Sequence, residues 1–158
     1  VARHPDAYTL ALQWLSRREL SAHQVRQRLA RRGLDEPSIE EAVARLAREG
    51  ALDDRRVAGA FVRTAVRLKP RGPARLRADL RALGIDRGLA DSALAEVFAE
   101  TSEADLLRQA LRKRWPHDEA PSPAQAARLY RALMRQGFSH AATRAALRAL
   151  GAPDDEET

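Results

Sequence analysis

The chain has 158 residues and a net charge of +6; 26 of its 28 cations are arginine, with Lys69 and Lys113 the exceptions. It has no cysteine, which excludes a disulfide framework, a thiol nucleophile and a cysteine zinc site. No stretch nears the roughly 18 uncharged apolar residues of a membrane helix, and no charged-then-apolar signal segment opens the chain. The first residue is Val1 rather than Met, which leaves room for a native N-terminal piece. A chain of about 150 residues can bury roughly two-thirds of its unfolded surface and fold without staples. The basic balance points to an anionic partner without naming it.

Helix formers dominate, and start and stop signals recur along the chain. Asp6 caps a first helix predicted over 7–18. Ser21 and Gln24 form a capping box for a second, which stops at Gly33. Pro37 and the Ser38–Glu41 pair open a third, ending at Gly50. Asp53 caps a fourth that runs to Leu68 and ends before Pro70. Gly72-Pro73 starts a fifth, stopped by Gly84. Asp86 caps a sixth running to about Ala99. Thr101 or Ser102 starts a seventh, broken near Trp115-Pro116. Ser122-Pro123 starts an eighth, stopped by Gly137, and Ser139 caps a ninth, stopped by Gly151.

Aligning Gly33, Gly84 and Gly137 exposes a repeat. Eight residues before each stands Val25, Leu76 or Leu129, and four before stands Leu29, Leu80 or Leu133. One after stands Leu34, Ile85 or Phe138; ten after, Val43, Leu94 or Leu147; thirteen after, Leu46, Val97 or Leu150. Two after each glycine comes a capping residue, Asp35, Asp86 or Ser139. The expected fold is therefore all-α: three tandem three-helix, helix-turn-helix-like repeats in an elongated, curved array. The divisions are 1–50, 51–100 with the basic centre, 101–151, and an acidic tail over 152–158. Trp14, Phe61, Phe98, Trp115, Tyr130 and Phe138 are expected in the core.

Charge is concentrated in the middle repeat. Residues 55–81 hold nine cations and one anion, Asp79, so that window carries +8. Arg56, Arg63 and Arg67 share the outer face of the fourth helix, opposite Val57, Ala58, Phe61, Val62 and Ala65. Arg75, Arg77 and Arg81 face outward on the fifth, and Lys69-Pro70-Arg71-Gly72 joins the two surfaces. Like charges at these spacings repel unless an anion meets them. The third helix, with Glu36, Glu40, Glu41 and Glu49 against Arg45 and Arg48, is ill-suited to a major groove. Seven aromatics, mostly in core register, make a stacking platform for single strands weak. What remains is salt-sensitive attraction to a nucleic-acid backbone or nucleoprotein.

Nothing suggests an enzyme. His4, His23, His117 and His140 are scattered, and no metalloprotease, phosphate-loop or nucleophile-elbow motif occurs. Asp53-Asp54 reads as a helix cap. No catalytic residue, cofactor or metal site is expected.

Two stretches carry a family resemblance. One is Leu52-Asp53-Asp54-x-x-Val57-Ala58-x-x-Phe61-Val62, followed by Arg71-Gly72-Pro73-x-x-Leu76-x-x-Asp79-Leu80-x-x-Leu83-Gly84-Ile85. The other is Leu15-x-Arg17-Arg18-x-Leu20-Ser21-x-x-Gln24-Val25-x-x-Arg28-Leu29-x-x-x-Gly33. Together they resemble the RecX family over most of the chain. Asp79, Leu83 and Gln24 stand where that family often has Glu, Lys and Glu. The resemblance implies three tandem three-helix units that lodge in the groove of the RecA–DNA filament and usually inhibit ATP hydrolysis and strand exchange. It implies a cytoplasmic regulator acting in DNA repair, recombination and the SOS response, binding single- and double-stranded DNA without sequence preference, as a monomer. On charge geometry, Arg63, Arg67, Lys69, Arg71, Arg75 and Arg77 form the expected core contact set, with Arg17, Arg18, Arg28 and Arg32 as a secondary set from the first repeat. The rival readings are a free-standing helix-turn-helix repressor and a basic helical scaffold.

Overall fold

A computed structural model describes residues 6–152; the acidic cluster Asp154–Glu157 of the expected tail lies outside the described residues, as does His4. Among the described residues the regular elements are nine helices: α1 (Ala7–Leu15), α2 (Ala22–Arg31), α3 (Glu36–Arg48), α4 (Asp54–Leu68), α5 (Pro73–Ala82), α6 (Arg87–Glu100), α7 (Glu103–Arg114), α8 (Pro123–Arg135) and α9 (His140–Ala149). The fold is an all-α tandem three-helix repeat.

Local chemistry sets most helix ends. Asp6 accepts from the Thr9 amide, Asp53 from the Arg55 and Arg56 amides, and Ser102 from the Asp105 amide. Ser21 with Gln24, and Ser122 with Gln125, form complete capping boxes. Two expected boundaries move. The first helix ends at Leu15, not 18, because the Arg17 and Arg18 amides both turn back onto the Trp14 carbonyl. The third helix begins at Glu36, where Asp35, the capping residue of the repeat alignment, is the cap instead of the Ser38–Glu41 pair: both the amide and the hydroxyl of Ser38 donate to it. The Asp35 carboxylate accepts from the first turn ahead of it, which leaves Pro37 inside that turn where a missing N–H costs nothing.

Each repeat packs its own core. The first gathers Leu10, Leu20, Val25, Leu29, Ile39, Val43 and Leu46; the second Val57, Val62, Leu76, Leu80, Ile85, Leu94 and Val97; the third Leu106, Leu107, Leu111, Leu129, Leu133, Phe138 and Leu147. Of the apolar positions that define the repeat, all are buried except Leu34 and Leu150, which are partly buried. The aromatics divide. Phe138 is fully buried, while Trp14, Phe61, Phe98, Trp115 and Tyr130 are partly buried at the edges of the cores. Phe98 and Val66 touch both the second and the third core, and so bridge those repeats.

Between repeats one relation recurs. The start of the second helix in one repeat meets the end of the second helix in the next. Ser21, the N-cap of α2, donates its hydroxyl to the carbonyl of Leu83, the C-cap of α5, at 2.5 Å. Gly72, the N-cap of α5, donates its amide to the carbonyl of Gln136, the C-cap of α8, at 2.9 Å, and the Ala74 amide reaches Gly137 at 3.1 Å. Helix ends leave unpaired amides and carbonyls, and here each end supplies the other's missing partner. The positive end of one helix dipole also faces the negative end of the next.

Candidate functional site

The fourth helix begins this surface. Its apolar stripe, Val57, Ala58 and Val62, is buried, so the polar residues between must face out. Arg63, Arg67 and Lys69 are exposed and have no hydrogen-bond or ion-pair partner among the described residues. Arg63 folds back over Gly59, where a Cβ would lie 3.1 Å from its guanidinium. That pose lays the Arg63 side chain along the surface of its own helix.

The other three members of the expected contact set are held. Asp79, the single anion of the window, takes Arg71 at 2.7 Å and Arg75 at 3.3 Å. Arg77 pairs with Asp91 of α6 at 2.9 Å. Asp79 thereby ties the loop before α5 to that helix. Arg71 and Arg77 are also partly covered by neighbouring structure. The expected contact set therefore divides into three free cations toward the end of α4 and three cations fixed by carboxylates. Arg56, from the same window but outside that set, is also held by a carboxylate. It binds both oxygens of Glu19 in the first repeat, at 2.7 and 3.3 Å, and that bond holds its guanidinium pKa above the ordinary arginine value.

In the first repeat, Arg17, Arg18 and Arg32 are exposed. Arg28 is partly covered and lies over the Trp14 ring at 5.8 Å, a cation–π arrangement. Arg26 pairs with Glu40 of α3 at 2.7 Å, and Arg45 with Glu49. Two of the acidic groups of the third helix, Glu40 and Glu49, thus pair with cations of their own repeat.

Two features escaped the sequence reading. The first is the charge of the third repeat. Residues 101–151 carry nine basic and four acidic groups, net +5, against +3 for 51–100. Counting the acidic tail with this repeat hides the excess. Arg128, Arg131 and Arg135 share an exposed face of α8 at spacings of three and four. The Gly72–Gln136 contact brings the end of α8 against the start of α5. The second is Asp54. Asp53 caps its own helix, but Asp54 accepts from the Ala22 amide of the first repeat at 2.8 Å. The Asp-Asp pair is a cap plus a latch between repeats.

Among the described residues no three His, Asp or Glu side chains gather as a metal site, and no helix is long and apolar enough to cross a membrane. His23 packs beside Gly84, and His140 bonds the Tyr130 hydroxyl at 2.6 Å.

The order of these parts is also the order of a known family. Three successive segments match the family models for the first, second and third three-helix domains of RecX, over residues 7–46, 53–94 and 101–147. The chain belongs to the RecX family. It is 39% identical to the regulatory protein RecX of Halorhodospira halophila over 150 residues, covering 93% of this chain and 88% of that protein. It is 33% identical to the regulatory protein RecX of Geobacillus kaustophilus, covering 96% of this chain but 56% of that longer protein. The crystal structure of RecX from Lactobacillus salivarius has the same fold, with a TM-score of 0.78 at 24% identity, over 92% of this chain and 94% of that one. Among relatives of this family the chain is a regulatory protein in type.

Proposed function

We propose that the protein binds the RecA–DNA filament and lowers its ATP hydrolysis and strand exchange. The observation that carries this reading is the free cationic end of α4, where Arg63, Arg67 and Lys69 stand without carboxylate partners. Unpaired guanidinium groups on a tandem array suit an extended polyanion. The fixed trio, Arg71, Arg75 and Arg77, presents pre-oriented donors, because each is already held by Asp79 or Asp91. Arg17, Arg18, Arg28 and Arg32 extend the contact along the first repeat. The contact is to backbone phosphate and filament protein rather than to bases, so it is independent of sequence and weakens with salt. The protein acts as a cytoplasmic monomer, without a cofactor and without catalysis of its own. The functional units follow the repeats, 1–50, 51–100 and 101–151.

Co-sedimentation with RecA filaments formed on single-stranded DNA tests this. The protein pellets with the filament at low salt and is released as salt rises. A tight, sequence-dependent shift of duplex DNA without RecA, and no pelleting with the filament, supports the repressor reading instead.

A further inference from the structure

A groove of about 480 Å³ lies between the corner that joins α1 to α2 and the side of α4 that carries Val57, Phe61 and Ala65. Its walls are mostly apolar, with Val57, Phe61, Ala65, Leu68 and Leu83 lining it and Thr64 and Gln24 set among them. Leu68 is 73% exposed, the most exposed large apolar side chain among the described residues. It sits in the last turn of α4, where nothing in the fold needs a leucine. Lysine or glutamate would serve an exposed helix end better. The rim is cationic. Arg18 and Lys69 border the groove and have no partner, and Arg71 stands behind them on Asp79. The one carboxylate of the lining, Glu19, is consumed by Arg56.

We propose that this groove seats one or two bulky apolar side chains from an acidic segment of the filament protein. The assignment rests on the filament reading above and adds which surface meets protein. A nucleobase fits less well than an apolar side chain, because most of the lining is apolar and polar edges seated in it would find few partners beyond Thr64 and the rim cations. Gln24, the lining amide, already gives its oxygen to the Ser21 amide. A second copy of this chain fits poorly as well, since a chain of net +6 brings cations to a cationic rim. An apolar anchor flanked by Asp or Glu satisfies both wall and rim. The phosphate contacts then fall to Arg63 and Arg67 and to the α8 face, and the groove recognises protein.

The absence of cysteine makes the test direct. Leu68→Cys and Arg87→Cys each carry a single thiol, the second on a side chain 90% exposed at the start of α6. Both are labelled with a benzophenone maleimide and irradiated on RecA filaments assembled on single-stranded DNA. The position-68 label is expected to form adducts with RecA protein in clear excess over position 87. Equal yields, or adducts mainly to DNA, overturn the assignment. Leu68→Ser supplies the second arm, because it removes the apolar anchor without placing a charge between Arg67 and Lys69. It is expected to weaken filament binding about tenfold, as removal of one buried leucine anchor does, while leaving affinity for naked single-stranded DNA unchanged. Equal loss of both affinities overturns it too. Unlabelled wild-type protein is assayed on RecA ATP hydrolysis in parallel. If hydrolysis falls but neither position-68 signature is found, the groove assignment alone is wrong. If wild-type protein neither binds the filament nor changes hydrolysis, the filament reading is wrong and the groove assignment falls with it.

Discussion

Gly72 and Gly137 meet backbone to backbone across the junction of the second and third repeats. A Cβ built on Gly72 would lie 2.2 Å from the Gly137 carbonyl, and one built on Gly137 would lie 2.2 Å from the Arg75 amide. The Gly72 amide uses that closeness to reach Gln136. Gly137 has a second constraint, a φ of +87° that L side chains rarely adopt.

This separates two kinds of helix-stopping glycine. Gly33 has φ +80° but open space around its missing Cβ. Gly33→Ala should cost only backbone strain, about 1 kcal/mol. Gly137→Ala should add an overpacking cost of about 1–3 kcal/mol, and Gly72→Ala should show the overpacking cost alone. Urea denaturation of the three variants checks the order. Equal losses at Gly33 and Gly137 would show that the junction yields freely.

The Asp54 latch is open to a similar test. Asp54→Ala removes the acceptor of the Ala22 amide while leaving the Asp53 cap in place. Removing an N-terminal acceptor costs about 1 kcal/mol. The effect should appear as faster hydrogen exchange at Ala22 and its neighbours in α2, with little change in α8. Unaltered exchange in α2 would show that the latch carries no stability.

The free and fixed cations should behave differently. Arg63→Ala, Arg67→Ala and Lys69→Ala together should flatten the salt dependence of single-stranded DNA binding by nearly one unit for each phosphate no longer met, and leave thermal stability unchanged. Arg77→Ala should lower stability slightly, by no more than about 1 kcal/mol, because its pair with Asp91 is half-exposed. A melting temperature lowered by the triple variant, with no change in salt slope, would reverse the assignment.

Helix caps and stops were legible in the sequence because they are local. Ser21 and Gln24 lie three residues apart and signal each other directly. The junctions were not legible. Ser21 and Leu83 are 62 residues apart, and the acceptor is a backbone carbonyl that every residue type carries. The candidate surface was legible as a charge window but not as a division. Arg67 and Arg71 look alike in sequence; only the turn of α5 brings Asp79 back beside Arg71. The groove needs two repeats to exist, so no single stretch announces it. The basic face of α8 was masked by the tail, whose four acids cancel it on paper.

Acid should loosen the first repeat before the others. Four carboxyls there are held below their ordinary range: Asp6 by the Thr9 amide, Asp35 by Ser38, Glu40 by Arg26, and Glu49 by Tyr8 and then Arg45. A lowered carboxyl stabilises the fold above its unfolded pKa, about 4, and that contribution is lost as pH falls through the folded value. Amide exchange followed from pH 5 to pH 2 should show protection lost first in α1–α3. Earlier loss in α7–α9 would contradict this.

The third core holds one defect. The Thr143 hydroxyl is fully buried and has no hydrogen-bond partner. Thr143→Val keeps the shape and removes the unmet group, and should raise stability by about 1 kcal/mol. A lowered melting temperature would mean that the hydroxyl is satisfied in solution.

The central claim, that this chain regulates the RecA filament through its free cations, is tested most directly by ATP hydrolysis. RecA on single-stranded DNA is assayed alone, with stoichiometric wild-type protein, and with the variant carrying Arg63→Glu, Arg67→Glu and Lys69→Glu. The account predicts that wild-type protein lowers hydrolysis and that the reversed variant restores it toward the rate of RecA alone. Hydrolysis unchanged by the wild-type protein would contradict the account.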